Sequence, residues 1–188
     1  MPIFIKASSL FQNMNSRHFF LAVIFCCLLA ACGTMQSIVL SSMPYTTSLT
    51  LPASSKTGES QTATGTATSL DKIIFKNGGN INRVNAVKVV SAEVRSALPA
   101  DFDLGQLASL RIYMQKADGS DAVLVASKEK LPADAGNVIA LDINNSGFLD
   151  RFIRESDIRI KMIYTLRSKV TTDVNVMLMM NFNATPIR

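Results

Sequence analysis

The chain has 188 residues, 48% of them hydrophobic, and a formal net charge of +5. That excess is mild and its Lys and Arg residues form no cluster, which argues against a nucleic-acid partner. One histidine, three cysteines and no tryptophan leave little room for imidazole, thiolate or indole chemistry.

Phe19 to Ala31 is an apolar run of 13 residues. A spanning helix needs about 20, and the hydrophobic part of a signal peptide about 7–15. Arg17 and His18 precede the run, and no acidic residue occurs before Glu59. The run closes on Leu29-Ala30-Ala31-Cys32-Gly33, whose small side chains suit a peptidase with a narrow site. These residues resemble the lipobox of bacterial lipoproteins. The resemblance implies cleavage between Ala31 and Cys32, acylation of Cys32 and anchoring in a lipid bilayer. Residues 1–31 are then a removed signal peptide, and Met14 offers a more compact start for it. In many Gram-negative lipoproteins an Asp after the cysteine retains the protein at the inner membrane. Gly33 stands there instead, and "GTMQSIVLSS" holds no acid. The expected location is the outer membrane, lipid-anchored and facing the periplasm.

Cleavage leaves 157 residues, with 17 Lys and Arg against 14 Asp and Glu. His18, Cys26 and Cys27 leave with the signal, and Cys32 becomes a thioether. No disulfide is then available, so the domain rests on its apolar core.

Residues 32–43 read as a tether and 44–188 as the folded domain. Tyr45–Leu51, "YTTSLTL", reads as a strand. Residues 52–69 are dominated by Ser, Thr, Ala and Gly and read as a flexible loop. "SLDKIIFKNGG" carries helix punctuation, with Ser69 as cap and Gly78 as stop. Ile81–Leu98 is long and Val-rich, a bent strand. Leu107–Glu129 reads as a hairpin about Ala117-Asp118-Gly119-Ser120. Asn137–Ile143 is a further strand. Ser146–Ser156 reads as a short amphipathic helix, with Phe148, Leu149, Phe152 and Ile153 on its apolar stripe. In "DIRIKMIYTLR", Ile158, Ile160, Met162, Tyr164 and Leu166 alternate with mostly polar residues, the period of a half-buried strand. "SKVTT" then turns the chain into "DVNVMLMMNFNA", with Val174, Val176, Leu178, Met180 and Phe182 on one face. These two strands read as a C-terminal hairpin. The fold expected is mainly β: an antiparallel β-sandwich, immunoglobulin-like or similar, of about seven strands with two short helices.

Several motifs invite chemistry and a plainer reading answers each. Ser69-Leu-Asp-Lys72 with Lys56-Thr57-Gly58 has the elements of serine β-lactamases in the wrong order. "DINNSG" (Asp142 to Gly147) matches half a Ca²⁺ loop, but the twelfth position is Ile153 rather than a carboxylate. Met177, Met179 and Met180 could offer thioethers to Cu(I), without a histidine or cysteine to assist. Arg159, Lys161 and Arg167 share a strand's polar face, either solvating it or touching anionic headgroups. Catalytic residues, metal ligands and cofactors are accordingly expected to be none.

The lipobox, the Ser/Thr-rich stretch, "LDKIIFKNGGNINRVNAVKV", "LASLRIYMQKADG" and the helix-then-hairpin ending together resemble small β-sandwich lipoproteins of Gram-negative bacteria. The resemblance implies a fold and an address. The function expected is a membrane-anchored, non-enzymatic module that binds or scaffolds another envelope protein. The alternative is a carbohydrate- or small-ligand-binding lipoprotein of an uptake system. Met177 and Met179, set between Asn175 and Asn181, are the candidate contact residues. Either the short helix covers them or they form an exposed patch.

Overall fold

The computed structural model describes residues 39–40, 44–68, 84–153, 155 and 157–187. The signal residues, Cys32 and the helix expected from Ser69 lie outside them. The described residues form ten strands: β1 (Val39–Leu40), β2 (Tyr45–Leu51), β3 (Ser60–Thr68), β4 (Val84–Leu98), β5 (Leu107–Lys116), β6 (Val123–Lys128), β7 (Val138–Ala140), β8 (Asp142–Ile143), β9 (Asp157–Leu166) and β10 (Val174–Pro186). One helical turn, α1 (Asp150–Ile153), precedes β9, and a 3₁₀ turn at Leu104–Gln106 precedes β5.

The strands form two antiparallel sheets. In the first, β10 lies between β4 and a discontinuous neighbour made of β1 and β2, and β7 flanks β4. The second has the order β3-β9-β5-β6-β8. The protein is a β-sandwich, as the alternation predicts. Every second residue of β9 and β10 is buried, including Ile158, Ile160, Met162, Tyr164, Val176, Leu178, Met180 and Phe182. These residues fill the space between the sheets, each worth roughly 1.5–3 kcal/mol when fully buried. The Tyr45 and Phe182 rings meet edge to face at 5.8 Å within that core.

Four expectations need correction. First, residues 60–68 are no flexible loop: β3 pairs with β9 along all nine of its residues. Thr is β-branched and suits a strand. The inner face of β3 carries Ala63 and Gly65 because β2 crosses close behind it. A Cβ on Gly65 would stand 2.7 Å from both the Ser48 carbonyl oxygen and the Thr47 hydroxyl. Thr47 Oγ1 donates to the Thr66 carbonyl at 3.3 Å, joining the two sheets along this edge.

Second, β9 and β10 do not form a hairpin, for they lie in different sheets. Residues 167–173 arch between the layers instead. Each strand has one apolar face, so alternation fits either connection. Val170, 2% exposed, plugs the arch. Third, among the described residues of 146–156 the helix is the single turn α1. Leu149 and Phe152 are buried, but Phe148 is exposed beneath the Lys88 ammonium, 4.6 Å from its ring. Fourth, β1 falls inside the stretch read as tether and pairs through Val39 with Ala184 and Leu40 with Asn183.

β4 is bent, as expected. Its pairing with β10 slips at three points, and Ala86 near one of them has φ of 53°. The predicted turn of the β5–β6 hairpin is present: Gly119 has φ of 89°, and Asp118 accepts from the Ser120 amide at 2.8 Å. Among the described residues no helix is long and apolar enough to cross a membrane.

Candidate functional site

Strand direction separates the two ends of the sandwich. β10 begins beside Leu51 and ends beside β1. The chain therefore enters at one end, next to Ala184. Four connections crowd the opposite end: residues 52–59, 99–106, 129–137 and 167–173.

This loop end is built by short polar ties. The Asp103 carboxylate accepts from the Gly105 amide at 2.7 Å and the Gly136 amide at 2.9 Å. Gly105 is packed so closely that a Cβ would stand 2.1 Å from the Ala133 carbonyl oxygen. Arg167 donates to the carbonyls of Gly105 and Leu131. It is thus a loop staple, separated in role from Arg159 and Lys161, with which the sequence grouped it. Asp173 accepts from the Ala53 amide at 2.8 Å. Two clefts remain between the loops. One of about 410 Å³ lies among Pro99, Asp101, Gln106, Lys169 and Thr172. The other, about 490 Å³, is lined by Ser54, Ser55, Lys56, Thr57, Glu59 and Lys169. Lys169 lines both.

Met177 and Met179 lie elsewhere, on the outer face of the first sheet. Met177 is 38% exposed and Met179 half-buried. The β10 register sets Ser48 and Arg95 on either side of Met177, and Thr46 and Glu93 on either side of Met179. Arg95 and Glu93 pair at 3.2 Å. The helical turn does not cover this face. The Leu149 amide bonds to the Val87 carbonyl, which seats α1 beyond β4, near its entry end. The two thioethers, one exposed and one half-buried, stand in a polar frame of hydroxyls and one ion pair. Met180 is in the core, so the three methionines do not converge. Ala31 and Cys32 lie outside the described residues.

The tempting motifs resolve into structure. Thr57 bridges to Leu166 and Gly58 takes φ of 75°, so Lys56-Thr57-Gly58 is a turn against β9. In "DINNSG", Asp142 pairs with Lys128 at 3.1 Å while Asn144 accepts from the Ser146 amide. That is a strand followed by an Asx turn. Among the described residues, no three His, Cys, Asp or Glu side chains gather to hold a metal.

The perturbed ionisations belong to exposed pairs or to the core. The Ser120 hydroxyl and then its amide hold Asp118 below its ordinary range. The Arg111 guanidinium, bonded to Glu129 at 2.7 Å, lowers that carboxyl. Lys116 does the same to Asp121 at 2.9 Å. Such surface pairs contribute little to stability. Burial pushes the Tyr45 phenol well up, with the Asp157 charge adding to it.

No protein-family model and no curated protein matches the chain. Among solved structures it is similar to work on carbohydrate-binding modules from the β-sandwich superfamily, with a TM-score of 0.28 and 12% identity. The match covers 79% of this chain and 57% of that one, so the chain spans less than two thirds of its length. A likeness at this level carries no weight for a ligand.

Sequence reasoning missed the loop end altogether. Its parts come from four distant segments, each polar and turn-like by itself. Pro99, Gly105 and Gly136 mark the turns, but nothing in the order of residues says that they meet.

Proposed function

We propose that the protein is a membrane-tethered, non-enzymatic β-sandwich that binds or scaffolds another protein of the cell envelope. Acyl chains on Cys32 hold it at the outer membrane, facing the periplasm, and the Met177–Met179 face meets the partner. The observation that carries the reading is the 38% exposure of Met177 beside a half-buried Met179 on the outer face of the first sheet. Flexible thioethers suit a surface that must repack against a partner. A photo-crosslinking residue at position 177, followed by mass spectrometry, should capture one partner in cells. Cys32→Ser should release the protein from membranes or leave the signal uncut, because stable anchoring takes two or more acyl chains. Unchanged fractionation and intact mass would sink the tether, and no crosslink at position 177 would sink the contact face.

The two clefts favour a second reading, a small-ligand or carbohydrate module gripping through its loop end. Volumes of a few hundred Å³ are in the range of small-molecule sites. Glycan-array binding lost in Lys169→Ala, with the crosslink at position 177 absent, would decide for it.

A further inference from the structure

The outer face of the second sheet carries an arrangement that the Met177 contact face on the other sheet does not use. In β9, Arg159 and Lys161 point outward from alternate positions, roughly 7 Å apart along the strand. The register places Thr64 and Tyr113 on either side of Lys161, and Thr66 and Gln115 on either side of Arg159. All six side chains stand on three neighbouring strands, about 4.8 Å from one strand to the next. All six are hydrogen-bond donors.

Five cations of the described residues, Lys56, Arg95, Arg111, Lys116 and Lys128, lie 2.7–3.7 Å from a carboxylate. Arg159 and Lys161 are among those that do not, and they stand together at alternate positions of one strand. They are also half-buried, so their stems are held against the sheet rather than waving in solvent. Gln115 is only 6% exposed although it faces outward. A Cβ on Gly119 would stand 3.5 Å from both the Arg159 guanidinium and the Gln115 amide nitrogen, so the β5–β6 turn props these two groups side by side. The result is a patch of donors with two positive charges, bordered by the Asp157 carboxylate at the next outward position of β9.

We propose that this face binds an acidic oligosaccharide, its carboxylates on Arg159 and Lys161 and its hydroxyls on Thr64, Thr66 and Gln115, with the Tyr113 ring against a sugar face. The spacing of the cations suits successive charges along an extended chain better than one compact anion. Hydroxyl and amide groups beside each cation offer the mixed donor and acceptor partners that sugar hydroxyls need. A lipid surface fits less well, because the patch presents no exposed apolar side chain to enter an acyl layer.

The test uses the purified full chain in detergent, with isothermal titration of oligogalacturonate, which bears a carboxylate on every ring. A neutral cello-oligosaccharide and vesicles of phosphatidylcholine with phosphatidylglycerol complete the set of probes. Oligogalacturonate should bind and the neutral oligomer should not. The pair Arg159→Gln and Lys161→Gln should weaken binding about tenfold or more, the scale of a lost charge-assisted contact. The pair Lys88→Gln and Lys130→Gln removes the same charge elsewhere and should leave binding unchanged. Thr64→Val should weaken it without any change in charge. If the first pair melts early, Lys161→Gln against Lys161→Arg decides, with only the arginine retaining affinity. The proposal is overturned by equal binding of the neutral oligomer, by equal loss in both double variants, or by no binding of oligogalacturonate. Anionic vesicles bound through these residues in place of the sugar would make the occupant a membrane.

Discussion

The hydroxyls of Ser55 and Tyr164 lie 2.8 Å apart, both of them buried. One comes from the loop after β2 and the other from the inner face of β9, so a single contact pins the loop end to the core. Removing either partner leaves the other buried hydroxyl unsatisfied, at a cost of about 1–3 kcal/mol. Tyr164→Phe and Ser55→Ala should each lose that much in urea unfolding. The double variant should lose clearly less than the sum, since the second change removes the orphan. Additive losses would mean the two hydroxyls do not depend on each other.

Gly65 should tolerate no side chain. Its would-be Cβ meets a backbone oxygen of Ser48, which cannot rotate away. Gly65→Val should cost about 1–3 kcal/mol or more through forced displacement of β2. Thr64→Val, one residue away on the outer face, should stay within about 0.5 kcal/mol. Thermal melts of the two variants compare an edge closed by contact with one that only looks closed.

On β10, adjacent residues should answer very differently. Leu178 is fully buried, so Leu178→Ala should cost about 2–5 kcal/mol. Met177 is 38% exposed, so Met177→Lys should shift stability by no more than about 0.5 kcal/mol. A large loss at Met177 would mean the outer face is packed and is no contact surface.

Much of this strand is legible in the sequence. Apolar residues at every second position of β9 and β10 name their own buried face, because a strand has a period of two. The same signal is silent about which sheet each strand joins, and that is why an arch reads as a hairpin. β3 was hidden for another reason. Its inner face is small rather than apolar, dictated by the nearness of Thr47 and Ser48 in another sheet. The helix stripe was half right: Leu149 and Phe152 are core, while Phe148 lies under Lys88. The donor patch on β9 was visible only as Arg159 and Lys161. Thr64, Thr66, Tyr113 and Gln115 join it through register, which no single segment contains.

Tyr45 gives a prediction in pH. Its hydroxyl is buried with no hydrogen-bond partner among the described residues, and its ionisation is raised above the ordinary 10.0, first by burial and then by Asp157. Below pH 10 both folded and unfolded states keep the phenol neutral, and its contribution to stability is intact. Above that, the unfolded chain releases a proton that the folded one retains. Stability then falls by about 1.4 kcal/mol per pH unit until the folded phenol also ionises. Tyr45→Phe should flatten this alkaline loss. It should also leave neutral-pH stability unchanged or slightly higher, since it removes an unsatisfied polar atom. Urea midpoints near pH 8 and above pH 10, compared between the two proteins, measure both effects.

The 13 residues of β10 run the length of the sandwich, from the loop end to the point where Val39 pairs with Ala184. At about 3.3 Å per residue, that is a rigid spacer of roughly 40 Å. A group held at the loop end and a contact made at Val39 are therefore separated by the whole sandwich, and shorter strands would bring the two closer residue by residue.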